Sequence, residues 1–563
     1  MEGLQNQHKC PQYKELMEEN KELRAALAKL VVELEELKGE RNVHLPTKHK
    51  SKFNLNIRLC VLELIGLEVA TAKIRPVIEA VGKHLFDYVF AAGDLPSRST
   101  CQEIADQGQI IAKQYMRKRI HESSAIGVHK DGTSRKRRKT IDATILTDSG
   151  EAFFLGFNVV ASETGKAISE NIVQSLNSTM GNSSIKATAG KIKYTMSDRA
   201  ANEKKSNRFL SEWRTDLLGK DCTPVQDFFC MAHVLLGFQA DCLKHLKSVQ
   251  QKLAPEGKMG RDRVKVYKIF KKDQATSRMC SAVSSAFGPV GEHFGVREKW
   301  EAFCEKEGVV STVQNFKDNR FNGLFALAAS TCLHREHFLH VLSLVEEPNK
   351  KLAALKEDLQ DQDLMNLMLG LGIMYLKVTR PFWDVITSTK TTYLELGPTI
   401  KKLLDEFEKA GRKPEIILLE NSFPSLGKYR NATRFEEIIP KQLTPGLWLA
   451  LSELCKAFSS TMNHQLADFL SQNVTPEAIV STKFAPANNL ICERNFGDLD
   501  SSQHRRPSAS FFHHNTVHAL KRHRRHIATW LSSMAKPEQL QIWEMVRKKA
   551  PASRKHHQAE QNF

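Results

Sequence analysis

At Ala125 the hydrophobic pattern passes from a helical period to an extended one, and the hundred or so residues beyond that point leave few folds open. Residues 125–128 lead to Asp131; 141–146 and 153–160 come next, the last two parted by Asp148, Ser149 and Gly150. Short apolar runs divided by such turn residues predict three antiparallel strands. A helix over about 166–180 comes after them, then a strand over 191–196 ending at Ser197 and Asp198, then a strand over 225–229.

Strand, strand, strand, helix, strand, helix, strand is the order of a ribonuclease-H-like core. From about 240 to 480 the periodicity is nearly all helical, with Leu-rich stretches around Leu342, Leu369 and Leu403, and this is too large for a loop. The expected fold class is therefore an α/β ribonuclease-H-like core interrupted by a large all-α insertion, with an N-terminal coiled coil and a small helical domain. The 563 residues exceed one compact core and predict several folding units. The expected divisions are a tail and coiled coil over 1–40, a basic linker and small helical domain over 41–124, and the first part of the core over 125–240. The helical insertion covers 241–480, the last core helices 481–535 and a C-terminal tail 536–563, disordered beyond about 546.

Near the N-terminus Leu16, Leu23, Leu30 and Leu37 recur every seven residues, with Tyr13, Asn20, Leu27 and Leu34 at the other seam position. A single seam Asn fixes register, and Glu19 to Arg24 and Glu33 to Lys38 have the spacing of cross-helix ion pairs in a parallel dimer. Self-association through 13–38 is expected; the other reading is one amphipathic helix docked on its own chain. Helical spacing then runs through 57–69 and 76–90, where Pro76 can open a helix. A third helix is expected behind the capping-box pair Thr100 and Glu103, ending in Lys113, Arg117, Lys118 and Arg119. Three helices with a basic end fit a helix-turn-helix reader of DNA, and equally plain packing.

The longest nearly apolar stretch, 364–376, is broken by Asn366 and two glycines, so no membrane span is expected. No secretory signal is expected either, since MEGLQNQHKC has no basic start and apolar run. Eleven cysteines without a CxxC pair argue against a disulfide framework and a zinc finger, and for a reducing compartment. Lys plus Arg outnumber Asp plus Glu by 82 to 64, a net charge of +18, which favours a polyanionic partner. The excess is clustered. Residues 41–62 carry no acid but hold Arg41, Lys48, Lys50, Lys52 and Arg58; residues 501–537 again carry none, with Arg505, Arg506, Lys521, Arg522, Arg524 and Arg525. A third cluster, Arg135, Lys136, Arg137, Arg138 and Lys139, reads as a hairpin that grips phosphate, as a nuclear import signal, or as both.

Three acids stand where an α/β core of this order could use them: Asp131 in VHKDGTS, Asp198 in YTMSDRA and Glu493 in ANNLICERNFGD. Two carboxylates at adjacent strand ends and a third from a helix across them would supply hard oxygen ligands for two Mg²⁺ or Mn²⁺ ions. Without a cation such a cluster raises its own pKa values. The words around these acids resemble those of the hAT-like DDE transposases, which have a ribonuclease-H-like fold interrupted by a helical insertion. In that family a CxxH motif follows the second Asp, as Cys230 and His233 do here in FFCMAHVLLGF. An Arg-Trp-Asn element near the insertion corresponds to Arg320, Phe321 and Asn322, with Phe in place of Trp, and a Ser-Glu-Arg-x-Phe block to Glu493, Arg494, Asn495 and Phe496 behind Cys492.

The resemblance covers roughly 125–530. It implies a metal-ligating catalytic trio of Asp131, Asp198 and Glu493, with Cys230 and His233 in support. It also implies double-stranded DNA as partner and cleavage followed by strand transfer, in the nucleus, by a dimer or higher oligomer. Arg135 to Lys139, Arg320, Phe321, Arg494, Arg505 and Arg506 are the expected DNA-binding residues. The chain departs from the family in lacking Cys and His at zinc-finger spacing, so end recognition would fall to 41–120 or be lost, and a non-catalytic DNA-binding descendant or scaffold is the competing class. Cys230 and His233 alone are too few to bind zinc. No role is expected of His513, His514 and His518, and Trp383 is expected in the core.

Overall fold

The computed structural model describes residues 11–40, 47–49, 52–135, 138–254, 256, 258–264, 274–292, 294–317, 320–346, 348–429, 434–471 and 474–561. These are mostly helical and include one mixed sheet of five strands. They divide into two compact units, one from the described residues within Met1–Tyr115 and Ala509–Asn562, the other from those within Met116–Ser508.

In the first unit the heptad region is a continuous helix, Pro11–Glu40. Its seam residues Leu16, Leu23, Leu27 and Leu30 are 59–66% exposed, so this helix is not docked through its leucines on the chain's own body. A short antiparallel ribbon of β1 (Lys48–His49) and β2 (Lys52–Phe53) precedes the helix Leu55–Gly66, which Asn54 caps by accepting from the Ile57 N–H at 3.0 Å. The next helix, Thr71–Phe86, opens before Pro76 and holds that proline inside. Only one intrahelical bond near the start is lost this way, so the helix need not open at Pro76 as expected and begins five residues earlier. The helix Arg98–Glu122 also starts ahead of its expected cap: Ser97, not Thr100, supplies the oxygen, accepting from the Thr100 N–H at 3.3 Å.

The helix Phe511–Ser532 packs against Leu55–Gly66. Gly66 permits the approach, since a Cβ there would meet the Leu520 carbonyl oxygen at 3.0 Å. His514 and His518 are buried on this helix. The expected last core segment therefore divides, with only its first helix, Leu490–Arg505, on the sheet. The stretch expected as a tail is the helix Lys536–Gln561, which buries Trp543, Val546 and Ala550 at one-face spacing and pairs Arg554 with Asp106.

The second unit is built on β3 (Ile126–Arg135), β4 (Arg138–Thr147), β5 (Ala152–Val160), β6 (Ile192–Ser197) and β7 (Gln226–Phe229), in the order β5-β4-β3-β6-β7. The first three are antiparallel neighbours; β6 and β7 run parallel to β3. Alternation of side chains gives the sheet two coated faces. On one face Asn158 bonds Ser175 of the helix Gly165–Met180, and Lys130 pairs with Glu203 of the helix Ala201–Leu218. On the other, Phe157 stacks on Phe496 and Asn495 bonds Asp142, both from Leu490–Arg505. A Cβ at Gly127 would lie 2.0 Å from the Tyr194 ring, so only glycine lets that ring cross the strand.

The helical region from Ala232 onward does not form a core of its own. Tyr194, Met196 and Phe228 of the sheet share one apolar cluster with Phe238, Phe325, Phe382, Phe407 and Phe458. Within it Asp358, fully buried, is paired with Arg261 at 2.6 Å and faces Arg278 at 3.4 Å. The apolar stretch 364–376 lies in the helix Gln362–Met374 and the π turn that follows it, and no helix among the described residues is long and apolar enough to cross a membrane.

Candidate active site

Asp131 lies within β3, not after it, directly opposite Asp142 of β4. On its other side β3 pairs with β6 up to His129 and Met196. Two more residues in the same register set Asp131 level with Asp198, which follows the last residue of β6. Paired residues of neighbouring strands share a face about 4.8 Å apart, so register alone brings the two acids side by side. Glu493 enters from the helix Leu490–Arg505, in its first turn.

The electrostatics agree with that convergence. Asp131 is 7% exposed, and burial pushes its carboxyl well above the usual carboxylate range; Glu493, Asp198 and Glu203 push it further the same way, against one opposing bond from the Gly132 N–H at 2.9 Å. Charge repulsion of this kind requires the groups to stand within several ångströms. His233 feels the same acids. Burial pulls its imidazole down, while Asp198 and Glu493 push it up, and its Nδ1 is buried without a hydrogen-bond partner. The ring of Phe321 meets His233 edge-on at 5.2 Å and lies 5.9 Å from that of Trp383, which is half-buried and packs against the core cluster. Asp131, Asp198, Glu493, His233 and Phe321 thus gather in one place.

Asn489 holds this assembly. Its side-chain oxygen accepts from His129 Nδ1 at 3.0 Å and its amide nitrogen donates to the Lys130 carbonyl at 2.8 Å; its backbone N–H donates to Cys230 Sγ at 3.1 Å. Because the side chain reaches across to β3, it makes no capping bond to the helix it precedes. Cys230 is fully buried, its thiol pushed up to about 12, and its N–H donates to the Ser197 carbonyl at 2.8 Å. The backbone N–H of Met231 donates to the Ala487 carbonyl at 2.9 Å. One short turn thereby ties the ends of β3, β6 and β7 to the segment that delivers Glu493.

Sequence reasoning missed Asn489, His129, Asp142, Asn495 and the buried pair Lys130 and Glu203. Asp142 accepts from Asn495 at 2.8 Å, fixing the helix two residues beyond Glu493. The sequence carries no distinct signal for Asn489, because an asparagine at a helix entry reads as an ordinary N-cap.

The expected DNA-binding cations lie further out. Arg135 pairs with Arg138 where β3 and β4 meet, four residues and about 13 Å along the strand from Asp131; Lys139 is exposed, and Lys136 and Arg137 lie outside the described residues. Arg320, Arg494 and Arg505 are exposed, and Arg506 is half-buried with a bond to Ser502 at 3.3 Å. Arg505 is about 18 Å from Glu493 along their shared helix.

The donor set at the centre, three carboxylates, has the chemistry of a site for a hard divalent cation. Among the described residues, however, no group of three or more His, Cys, Asp or Glu is arranged to hold a metal ion as it stands. No family model matches the chain, and no curated protein matches it.

Proposed function

We propose that this chain is a DNA-acting enzyme of the hAT-like DDE transposase kind, with a ribonuclease-H-like core. The observation that carries the reading is the buried Asp131 carboxyl, with Asp198 and Glu493 close enough to raise it. A cluster of like charges in a buried place is unstable alone and calls for a cation. Divalent ions bound there would activate a water or a terminal 3′-hydroxyl and neutralise charge developing on a phosphodiester. Asp131, Asp198 and Glu493 would hold them. Asn489 keeps Glu493 in register with β3, and His233, its imidazole pulled down by burial, leaves its Nδ1 for a proton or a ligand at the edge of the site. The order and directions of the five strands support the core assignment. Clustered positive charge supports double-stranded DNA as partner and the nucleus as location, and the exposed leucine seam supports a dimer through 13–38.

The test is nicking of plasmid DNA by the purified protein in Mg²⁺ or Mn²⁺, wild type against Asp198→Asn. Cleavage only by the wild type supports the enzyme; equal nicking in both, or none in either, removes it. Joined products separate a transposase from a nuclease without strand transfer. A second reading, a non-catalytic DNA-binding dimer, is favoured by the lack of a closed ligand arrangement around the acids among the described residues. In both readings affinity for duplex DNA falls steeply with salt.

A further inference from the structure

Beyond the end of the edge strand β7 lies a cavity of about 260 Å³. Its floor is aromatic, made by Phe229, Tyr393 and Phe469, and its wall is cationic, made by Lys204 and Arg208. The wall follows from helix geometry: positions 204 and 208 of Ala201–Leu218 are one turn apart and share a face. Lys204 Nζ lies 5.4 Å from the Phe229 ring centre, and the guanidinium carbon of Arg199 lies 4.9 Å from it. The Arg199 guanidinium is buried beside the Tyr393 hydroxyl and does not line the cavity.

Two carboxylates also line the cavity, and neither opposes an anion strongly. Asp468 is paired with Lys204 at 3.0 Å, and Asp227 accepts from the Thr195 hydroxyl at 2.9 Å, its carboxyl pushed up by burial. Both remain acceptors for an amino group. Aromatic surface, phosphate-binding cations and amino-group acceptors within one small volume match a single molecular class. The space takes one base with its sugar and excludes a duplex, whose bases are stacked.

We propose that this cavity binds one unstacked nucleotide, its base against Phe229 and Phe469 and its phosphate held by Arg208 and by Lys204, which exchanges Asp468 for it. Neither Arg320 nor Phe321 lines the cavity. It rests on the DNA-acting reading only for the source of the nucleotide, a nucleic-acid strand or free mononucleotide.

The experiment uses the full chain in EDTA, so that binding is read without cleavage. Anisotropy of a labelled single-stranded tetradeoxynucleotide is compared with that of its abasic counterpart. The wild type binds the normal strand about ten-fold more tightly than the abasic one, as stacking of one base implies. Phe229→Leu brings the ratio near one; Lys204→Gln with Arg208→Gln, on the outer helix face, weakens both strands at least five-fold and keeps the fold. Competition by deoxyadenosine monophosphate assigns the cavity to free nucleotides, and its absence to a strand; either supports the ligand class. A wild type indifferent to the bases overturns the proposal, as does a folded Phe229→Leu protein with an unchanged ratio. A protein that binds in this way but never nicks DNA keeps the nucleotide site and loses the enzyme.

Discussion

The side-chain amide of Asn489 donates to the backbone carbonyl of Lys130 at 2.8 Å, although 359 positions separate the two residues. Lys130 precedes Asp131 and Asn489 precedes the helix of Glu493, so this bond sets the register between two of the three acids. It is made inside the protein, next to a second bond to His129.

Replacing Asn489 by Leu removes both partners and leaves the Lys130 carbonyl and one His129 nitrogen buried and unsatisfied. The expected loss is roughly 2–6 kcal/mol of stability, at ~1–3 kcal/mol for each such group. Equilibrium urea denaturation measures it, and a midpoint within error of the wild type would show that the bond does not hold the segment.

Asp131→Asn should stabilise the metal-free protein near neutral pH. The carboxyl is pushed up in the folded chain, so from its ordinary value of 3.8 upward the unfolded chain releases the proton more readily and the fold is penalised. Removing that burden is expected to gain roughly 1–3 kcal/mol. Thermal melts in EDTA and in Mg²⁺ check it: the ion should raise the midpoint of the wild type and leave that of the variant unmoved.

Lys130 and Glu203 form an ion pair in the sheet's interior, with side chains 0% and 5% exposed. Lys130→Met strands a carboxylate that burial already pushes up, and the expected cost is roughly 3–5 kcal/mol. The double change to Lys130→Met with Glu203→Gln should recover most of it. A double variant no more stable than the single one would mean that charge is not what the pair provides.

Leu23→Lys with Leu30→Lys should convert a dimer into a monomer in sedimentation equilibrium without lowering the melting temperature, because both side chains stand in solvent in the single chain. An unchanged mass would exclude the leucine seam as the interface.

His334 Nε2 lies 3.0 Å from the Thr312 hydroxyl and 3.3 Å from the Thr312 N–H, an acceptor's role that only the neutral ring can fill. Burial and the neighbouring His337 and Arg434 pull it down to about 4. Below the unfolded value of 6.5 the unfolded chain binds the proton first, so stability falls with pH between about 6.5 and about 4 and is insensitive to this group above that window. Denaturation midpoints across pH 4–8 should lose up to one proton of slope in His334→Gln; the buried His129, also pulled down to about 4, keeps its own share.

The strands of the sheet were legible because their apolar residues alternate and Gly and Asp mark the turns. β3 was the partial failure: Lys130 and Asp131 look like a strand's end, and only the distant Glu203 and Glu493 give them buried partners. Pro76 and Thr100 misled for a related reason. Each is a sound local signal, overruled by a helix already begun at Thr71 or Arg98. The three acids could be named because the words around them are distinctive. The connector Asn489 could not, since its function exists only once β3 and the final core helix have met.

The helix Leu55–Gly66 completes its packing with Phe511–Ser532, which is synthesised several hundred residues later. At typical ribosomal rates of ~5–20 residues per second, the wait is on the order of a minute. Throughout that interval Val61, Leu62 and Ile65, buried in the finished protein, lack their eventual cover. The first unit is thus built last, and its apolar face stays open to wrong neighbours until the chain is nearly complete.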